Sequence, residues 1–321
     1  MTDKKRRFNL FSILSLMSLA TRLKPAGPTG FGADSTAEEV TEGLSLKGKT
    51  VLVTGCSSGL GAESCRVLSL RGAHVLGTAR TQAGAERFCA GLPNRATGLA
   101  CELSDPGSVR NCAAKIREAG IVLDAIICNA GIMATPTLQQ ASGYELQFFT
   151  NHIGHFLLVT GLFDSIASNG RVVVVSSSYH KFAPKGGIQF DNLSGERGYS
   201  PWAAYGQSKL ANILFAKELQ RRFASSKKIA MSVHPGVIPT KLSRNTGSAG
   251  QRLLNMLAPV FLKTVQQGAA TQLFAAVHPG AAAMGGQYLA DCNVARSSRH
   301  SEDPALARKL WEVSERIVNA L

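Results

Sequence analysis

The 321-residue chain has no internal repeat, no low-complexity tract, no Cys-x-x-Cys pair and no apolar run long enough to cross a bilayer. A spanning helix needs roughly 20 consecutive apolar residues, and the stretch from Phe8 to Ala20 falls short of that. The seven cysteines (Cys56, Cys65, Cys89, Cys101, Cys112, Cys128 and Cys292) are odd in number. They give no disulfide framework and point to free thiols in a reducing compartment. Acidic residues are few, 21 against 35 basic, leaving a formal charge of +14. Such an excess suits nucleic acid, anionic lipid or a phosphorylated ligand. Aromatics make up only 7% of the chain and do not interleave with the scattered basic residues, so nucleic-acid binding is not expected. His152 and His155 form His-x-x-His, but no third ligand stands near them in sequence, so both are read as structural and no metal site is expected. His234 is read as shaping its loop.

What is present begins with a basic N-terminus, Lys4 to Arg7 and Arg22 to Lys24 around the apolar segment. As a helix it would set Asn9, Ser12, Ser15 and Ser18 on one side and a wide apolar face on the other, which suits residues 4–24 lying on an anionic membrane surface. A secretory targeting peptide and a disordered tail are the competing readings. The reading adopted places the protein in the cytoplasm, membrane-associated through this segment, with homo-oligomerisation left open. Pro25 to Gly32 has loop composition, and a short helix capped by Ser35 or Thr36 precedes Glu38 and Glu39. Residues 1–45 are therefore expected to be tail and linker, and residues 46–321 one domain.

From Leu46 onward, apolar strand-like runs (TVLVTG, AHVLGTA, ATGLACEL, LDAIICNAG, RVVVVSSS, IAMSVHPG) alternate with helix-like segments. Unbroken apolar strands separated by helices predict an α/β fold, a Rossmann-type doubly wound parallel sheet covered on both faces. Residues 242–262 read as a helical substrate lid, Thr264 to Val277 as a helix, GGQYLA as a last strand and Pro304 to Asn319 as a closing helix.

Two features carry chemistry. TGCSSGLG sets Gly55, Gly59 and Gly61 at a strand-to-helix junction, where a pyrophosphate can meet bare backbone and a helix N-terminus. Tyr205 and Lys209 are one helical turn apart, so they share a face. An ammonium about 5 Å from a phenol, at an effective dielectric near 20, is worth ~3 kcal/mol, and predicts a lowered tyrosine pKa. At the end of the second strand, where NAD enzymes of this type carry an acid, stand Ala79 and Arg80. A guanidinium there suits a 2′-phosphate, which favours NADP(H) over NAD(H).

With TGCSSGLG come CNAG (128–131), TNHIGHF (150–156), VVVSSS (173–178), YGQSK (205–209) and HPGVIPT (234–240). In this order they resemble the short-chain dehydrogenase/reductase family over residues 47–240. The stretches STAEEVTEGLSLKGKTVLVTG, AYGQSKLANILFAKELQRRF, QQGAATQLFAA and LWEVSERI resemble its retinol dehydrogenase and WW-domain-containing oxidoreductase branch, although no WW domain is present. The resemblance implies hydride transfer between NADP(H) and a carbonyl or alcohol. It makes Tyr205 the general acid/base, Lys209 its partner and the holder of the nicotinamide ribose, Ser177 the carbonyl-polarising hydroxyl (Ser176 and Ser178 being register alternatives), and Asn151 the holder of a water beside Lys209. The cofactor would lie against Thr54, Gly55, Ser57, Ser58, Gly59, Leu60, Gly61, Arg80, Glu102, Leu103, Asn129, Ala130, Gly131, Pro235, Gly236, Val237, Ile238 and Thr240. Glu102 replaces the aspartate usual near the adenine. The insert before Tyr205, with Phe182, Phe190, Tyr199 and Trp202, is expected to wall a pocket for a lipophilic retinoid-, steroid- or lipid-like substrate. The alternatives are a protochlorophyllide-reductase-like C=C reductase and a cofactor-sensing scaffold with little turnover.

Overall fold

The computed structural model describes residues 26–238 and 263–321. The segment 4–24, the lid region 242–262 and Thr240 lie outside the described residues.

The strands β1 (Thr50–Thr54), β2 (His74–Ala79), β3 (Ala96–Ala100) and β4 (Leu123–Cys128) are separated by helices α1 (Gly59–Leu70), α2 (Gln82–Cys89) and α3 (Pro106–Glu118). A small hairpin, β5 (Gln140–Ala141) and β6 (Tyr144–Glu145), leads into one helical rod. The rod consists of α4 (Leu146–Phe148), a π turn (Phe149–Ile153) and α5 (Gly154–Thr160). Then follow β7 (Ile166–Val175), α6 (Pro201–Arg222), β8 (Ile229–His234), α7 (Val265–Val277), β9 (Tyr288–Ala290), β10 (Asn293–Val294) and α8 (Pro304–Ala320).

Eight strands form one sheet in the order β10-β9-β8-β7-β4-β1-β2-β3, parallel except for the β10–β9 pair. The chain winds outward from β1 to β3, then crosses back to lay β4 on the other side of β1. The crevice at this reversal, past the carboxyl ends of β1 and β4, is where such sheets bind ligands.

The apolar runs are explained by burial on both faces. Leu52, Ile126, Val172 and Val174 point into a core shared with Phe148, Ile153, Leu210 and Trp311 of the rod, α6 and α8. Their neighbours Val51, Val53, Ile127 and Val173 point into the opposite core, with Cys65, Leu68, Leu273 and Phe274 of α1 and α7. At roughly 25 cal/mol per Å² of apolar area removed from water, these two cores supply the driving force for the three-layer packing. All seven cysteines are free and buried, and all but Cys89 are small apolar residues of these two cores.

The expected boundary at Leu46 does not coincide with a break in packing. Phe31 meets Phe274 and His278 edge-on, Ala37 donates to the Gln266 carbonyl, and Val40 is buried. The expected short helix is a three-residue 3-10 turn, Glu39–Thr41. Glu38 is its N-cap residue and makes no side-chain cap, while Thr36 rather than Ser35 braces the turn, accepting from the Glu39 N–H as the Glu39 carboxylate accepts from the Thr36 N–H.

Candidate active site

TGCSSGLG leaves the end of β1 and enters α1. Gly61 is packed so tightly that a β-carbon there would stand 2.1 Å from the Gly55 carbonyl oxygen. Ser57 and Ser58 are exposed, and Ser58, the N-cap of α1, makes no side-chain capping bond. The first-turn N–H groups of α1 are thus left for an acceptor from outside, which fits a dinucleotide's phosphates. Opposite, Asn129 anchors the CNAG loop by donating its side chain to the Thr54 carbonyl at 2.9 Å. The Thr54 hydroxyl accepts from the N–H groups of Asn129 and Ala130 at 2.9 and 3.0 Å. Leu60 and Ile238 both close over Gly268 of α7, bringing the glycine loop and the Pro235–Ile238 loop to the same place. Gly236 rests against the aliphatic stem of Lys263, and Val237 is exposed.

Beyond the glycine loop, Arg80 follows β2 and is exposed. Glu102 is held locally: its carboxylate accepts from the Ser104 N–H at 3.1 Å and from the Ser104 hydroxyl at 2.8 Å. Leu103 is buried beneath the rod, its carbonyl against Gly154.

Tyr205 and Lys209 project from α6 and are both buried, the Lys209 ammonium 5.6 Å from the Tyr205 ring centre. Ser177, just past β7, is the serine whose hydroxyl acts on the Tyr205 phenol, lowering its pKa, and it also accepts from the Tyr179 N–H at 3.3 Å. Ser176 instead donates to the Lys209 carbonyl at 2.7 Å, and the Ser178 N–H donates to the ring of His234. Asn151 is held in the π turn, its amide donating to the Ser208 hydroxyl at 2.9 Å and to the Ile132 carbonyl at 3.0 Å. Its side-chain oxygen accepts from the Ile132 N–H at 2.8 Å. Gly131 has no β-carbon where one would meet the Asn151 side-chain oxygen at 2.9 Å and the Lys209 ammonium at 3.5 Å. That gap is a cradle between the two groups and fits the nicotinamide end of the cofactor.

The electrostatics differ from the sequence expectation. Burial pushes the Tyr205 phenol up to about 12, and the nearby Ser177 hydroxyl only partly offsets it. Burial also draws Lys209 down to about 8. Desolvation of a phenolate in this wholly buried place exceeds the Coulomb gain estimated from spacing alone. The phenol is therefore a protonated donor through the neutral range.

Around Tyr205 stand three aromatic rings. Tyr179 meets it edge-on at 5.8 Å and stacks on Trp202 at 4.9 Å, and Phe182 lies 5.4 Å from Tyr179. Trp202 and Phe182 thus belong to one aromatic group with Tyr179 beside Tyr205. Phe190 and Tyr199 are not part of this group: Phe190 packs on the core under Lys309, and the Tyr199 hydroxyl is tied to Thr135 and Gln147. Both are used to hold the insert to the body of the protein. Tyr179 and Ser208 are absent from the sequence-based set. Tyr179 directly follows the serine strand, a position that could have flagged it; Ser208 carries no signal beyond its place inside YGQSK.

Among the described residues no group of three or more His, Cys, Asp or Glu could hold a metal ion. His152 hydrogen-bonds Ser314, His155 bonds Thr54 and Asn151, and His234 accepts from Ser178, so these histidines serve as internal ties.

Residues 49–250 match the family model for short chain dehydrogenase. The chain is 40% identical over 310 residues to the short-chain dehydrogenase TIC 32 B, chloroplastic, of Brassica napus, covering 92% of this chain and 97% of that protein. It is 38% identical over 282 residues to human retinol dehydrogenase 11, covering 85% and 87% respectively. The solved structure of a blue fluorescent protein from a metagenomic library, in complex with NADPH, superposes with a TM-score of 0.62 at 25% identity, covering 76% of this chain and 96% of that one. With the Rossmann sheet, the glycine loop and the buried Tyr205–Lys209 pair, these likenesses establish that the chain belongs to the short-chain dehydrogenase family, in its retinol dehydrogenase-like branch, and is an oxidoreductase acting on CH–OH groups.

Proposed function

We propose that the protein interconverts a lipophilic carbonyl and its alcohol with NADP(H), using Tyr205, Lys209, Ser177 and Asn151. The observation that carries this reading is the buried pair on α6, with the Lys209 ammonium 5.6 Å from the Tyr205 ring centre and the Ser177 hydroxyl acting on the same phenol.

When bound, NADP(H) supplies or accepts the hydride. In reduction, Ser177 and Tyr205 both donate to the carbonyl oxygen, and the Tyr205 proton passes to it as it becomes an alkoxide. Lys209 stabilises the phenolate left behind, since a neighbouring cation favours the charged form. Asn151 fixes the π turn beside Lys209 through Ser208. In oxidation the same residues run in reverse.

Preference for NADP(H) rests on Arg80 following β2 where an acid would otherwise meet a ribose hydroxyl. The NADPH-bound structure and the retinol dehydrogenase relatives add support for cofactor and substrate class. A lipophilic substrate is further favoured by Phe182, an aromatic ring that is 39% exposed, beside Tyr179 and Trp202. No helix among the described residues is long and apolar enough to cross a membrane, and surface attachment is proposed for residues 4–24 alone.

The test is a panel of retinoid, steroid, fatty-aldehyde and quinone carbonyls with NADPH. Tyr205→Phe should lower kcat by about 10²–10⁴-fold while NADPH still binds. Unchanged turnover in Tyr205→Phe would refute the assignment of Tyr205, and turnover of small polar carbonyls only would refute the lipophilic substrate. Deleting residues 1–24 should release the protein from anionic vesicles, and continued full binding would contradict attachment through that segment.

A further inference from the structure

His155 lies on α5, one turn after Asn151, and is wholly buried. Its ring has a partner on each nitrogen. Nδ1 is 3.0 Å from the Asn151 backbone carbonyl oxygen, and Nε2 is 2.9 Å from the Thr54 hydroxyl. A carbonyl oxygen only accepts, so Nδ1 must carry the proton. Nε2 is then a lone pair, and the Thr54 hydroxyl donates to it at 2.9 Å in preference to the Ile127 carbonyl, which stands farther away at 3.5 Å. This leaves the Thr54 oxygen free to accept, as it does from the N–H groups of Asn129 and Ala130.

Donors and acceptors along this chain therefore agree in one direction only. The other tautomer would set a lone pair of Nδ1 against the Asn151 carbonyl and crowd three donors onto the Thr54 oxygen. A doubly protonated ring is opposed by burial and by the nearby charge of Lys209, which together draw His155 down to about 4.

The consequence concerns Asn151. Its side chain is fully engaged by Ile132 and Ser208, so the remaining freedom of the π turn lies in its backbone. His155 grips that backbone at the Asn151 carbonyl. The other end of the ring holds Thr54, from which the CNAG loop hangs. We propose that His155 is a positioning residue of the oxidoreductase site: in one neutral tautomer it ties the π turn carrying Asn151 to the end of β1, and so sets Asn151 and Gly131 in register with Lys209. This rests on the reading of Tyr205, Lys209 and Asn151 given above.

Three variants separate positioning from simple packing. His155→Asn can return a donor to the Asn151 carbonyl, His155→Gln reaches toward Thr54, and His155→Leu does neither. With NADPH and retinal as probes, His155→Leu should lower kcat about ten- to a hundredfold with little change in the KM for retinal. His155→Asn should recover most of that loss and His155→Gln less. A packing role alone predicts equal losses in the three variants, each tracking the loss of melting temperature, and that result would overturn the proposal.

The tautomer gives a readout independent of turnover and of variant folding. The imidazole ¹⁵N spectrum of the full-length protein, selectively labelled at histidine, should show His155 neutral and protonated on Nδ1 at neutral pH. A ring protonated on Nε2, or on both nitrogens, would overturn the proposal and leave the role of Tyr205 untouched. Conversely, undiminished turnover in Tyr205→Phe would remove the catalytic reading while the His155 tautomer stands.

Discussion

The ammonium of Lys209 donates to the backbone carbonyl of Val175 at 3.1 Å. Asn212 donates to the same carbonyl at 2.9 Å, so that oxygen keeps a partner if Lys209 is removed. Lys209 is thus a buried cation held by a carbonyl dipole and the Tyr205 ring, with no ion pair to a carboxylate among the described residues.

Its folded pKa of about 8 lies below the ordinary 10.5. Between these values the unfolded chain binds a proton that the folded one does not, so stability rises with pH across that window. Below it both states are charged and the full cost of burial is present. Lys209→Met should therefore be more stable than the native protein at neutral pH, by up to ~3 kcal/mol, while losing turnover. Urea unfolding near pH 7 and pH 10 checks this. The advantage should shrink at the higher pH, and a variant less stable at both would contradict it.

The buried histidines act with the same sign, in the acid range. Burial draws His152 to about 3 and His155, His180 and His234 to about 4, all from an ordinary 6.5. As pH falls below about 6.5 the unfolded chain takes up protons that the folded one refuses, so stability is lost until the folded pKa values are reached. Each histidine should contribute ~1.4 kcal/mol per pH unit in that window. His152 sits among Phe148, Phe156 and Phe215, and its Nδ1 has no hydrogen-bond partner. His152→Phe should flatten the acid limb by one histidine's share. Denaturation series at about pH 5, 6 and 7 would show it, and an unchanged slope would assign the acid sensitivity elsewhere.

The sheet was legible because parallel strands buried on both faces are apolar at every position, as in VLV and VVVV, and the glycine loop because its spacing has a backbone cause. The π turn at Phe149–Ile153 was not legible, since its residues are those of an ordinary helix and its extra residue per turn is set by packing on Ile132 and Ser208. Nor was the seating of residues 26–45, whose Pro and Gly content reads as linker while Phe31 and Val40 fill hollows made by distant α7 and α1. The phenol of Tyr205 was misjudged for a related reason. Helical spacing gives the distance to Lys209 but not the depth of burial, and depth decides the sign of the shift.

Arg80 tests the cofactor reading without disturbing the fold, because it is exposed. A hydrogen bond to a charged group is worth about 1.5–3 kcal/mol, or roughly ten- to a hundredfold in affinity. Arg80→Ala should weaken NADPH by about that factor and leave NADH almost unchanged. Fluorescence titration of both dinucleotides measures the ratio. Equal weakening of the two would remove Arg80 from 2′-phosphate recognition.

Gly61 tests the phosphate loop by sterics alone. A β-carbon there would fall 2.1 Å from the Gly55 carbonyl oxygen and 2.7 Å from the Asn129 side-chain nitrogen. The first of these is backbone and cannot swing aside, so Gly61→Ala must push β1's exit and α1 apart. Overpacking of this kind costs about 1–3 kcal/mol, and the displaced strand end carries Thr54 and hence the CNAG loop. NADPH affinity should fall by about tenfold or more, with a lower melting temperature but an intact far-ultraviolet circular dichroism spectrum, since Cys65, Val67 and Leu68 still bury the helix. Gly91→Ala is the control: its added carbon would lie 3.5 Å from the Phe88 carbonyl, an ordinary contact, and should change neither quantity. If Gly61→Ala bound NADPH as tightly as the native protein, the pyrophosphate would have to rest somewhere other than on this loop.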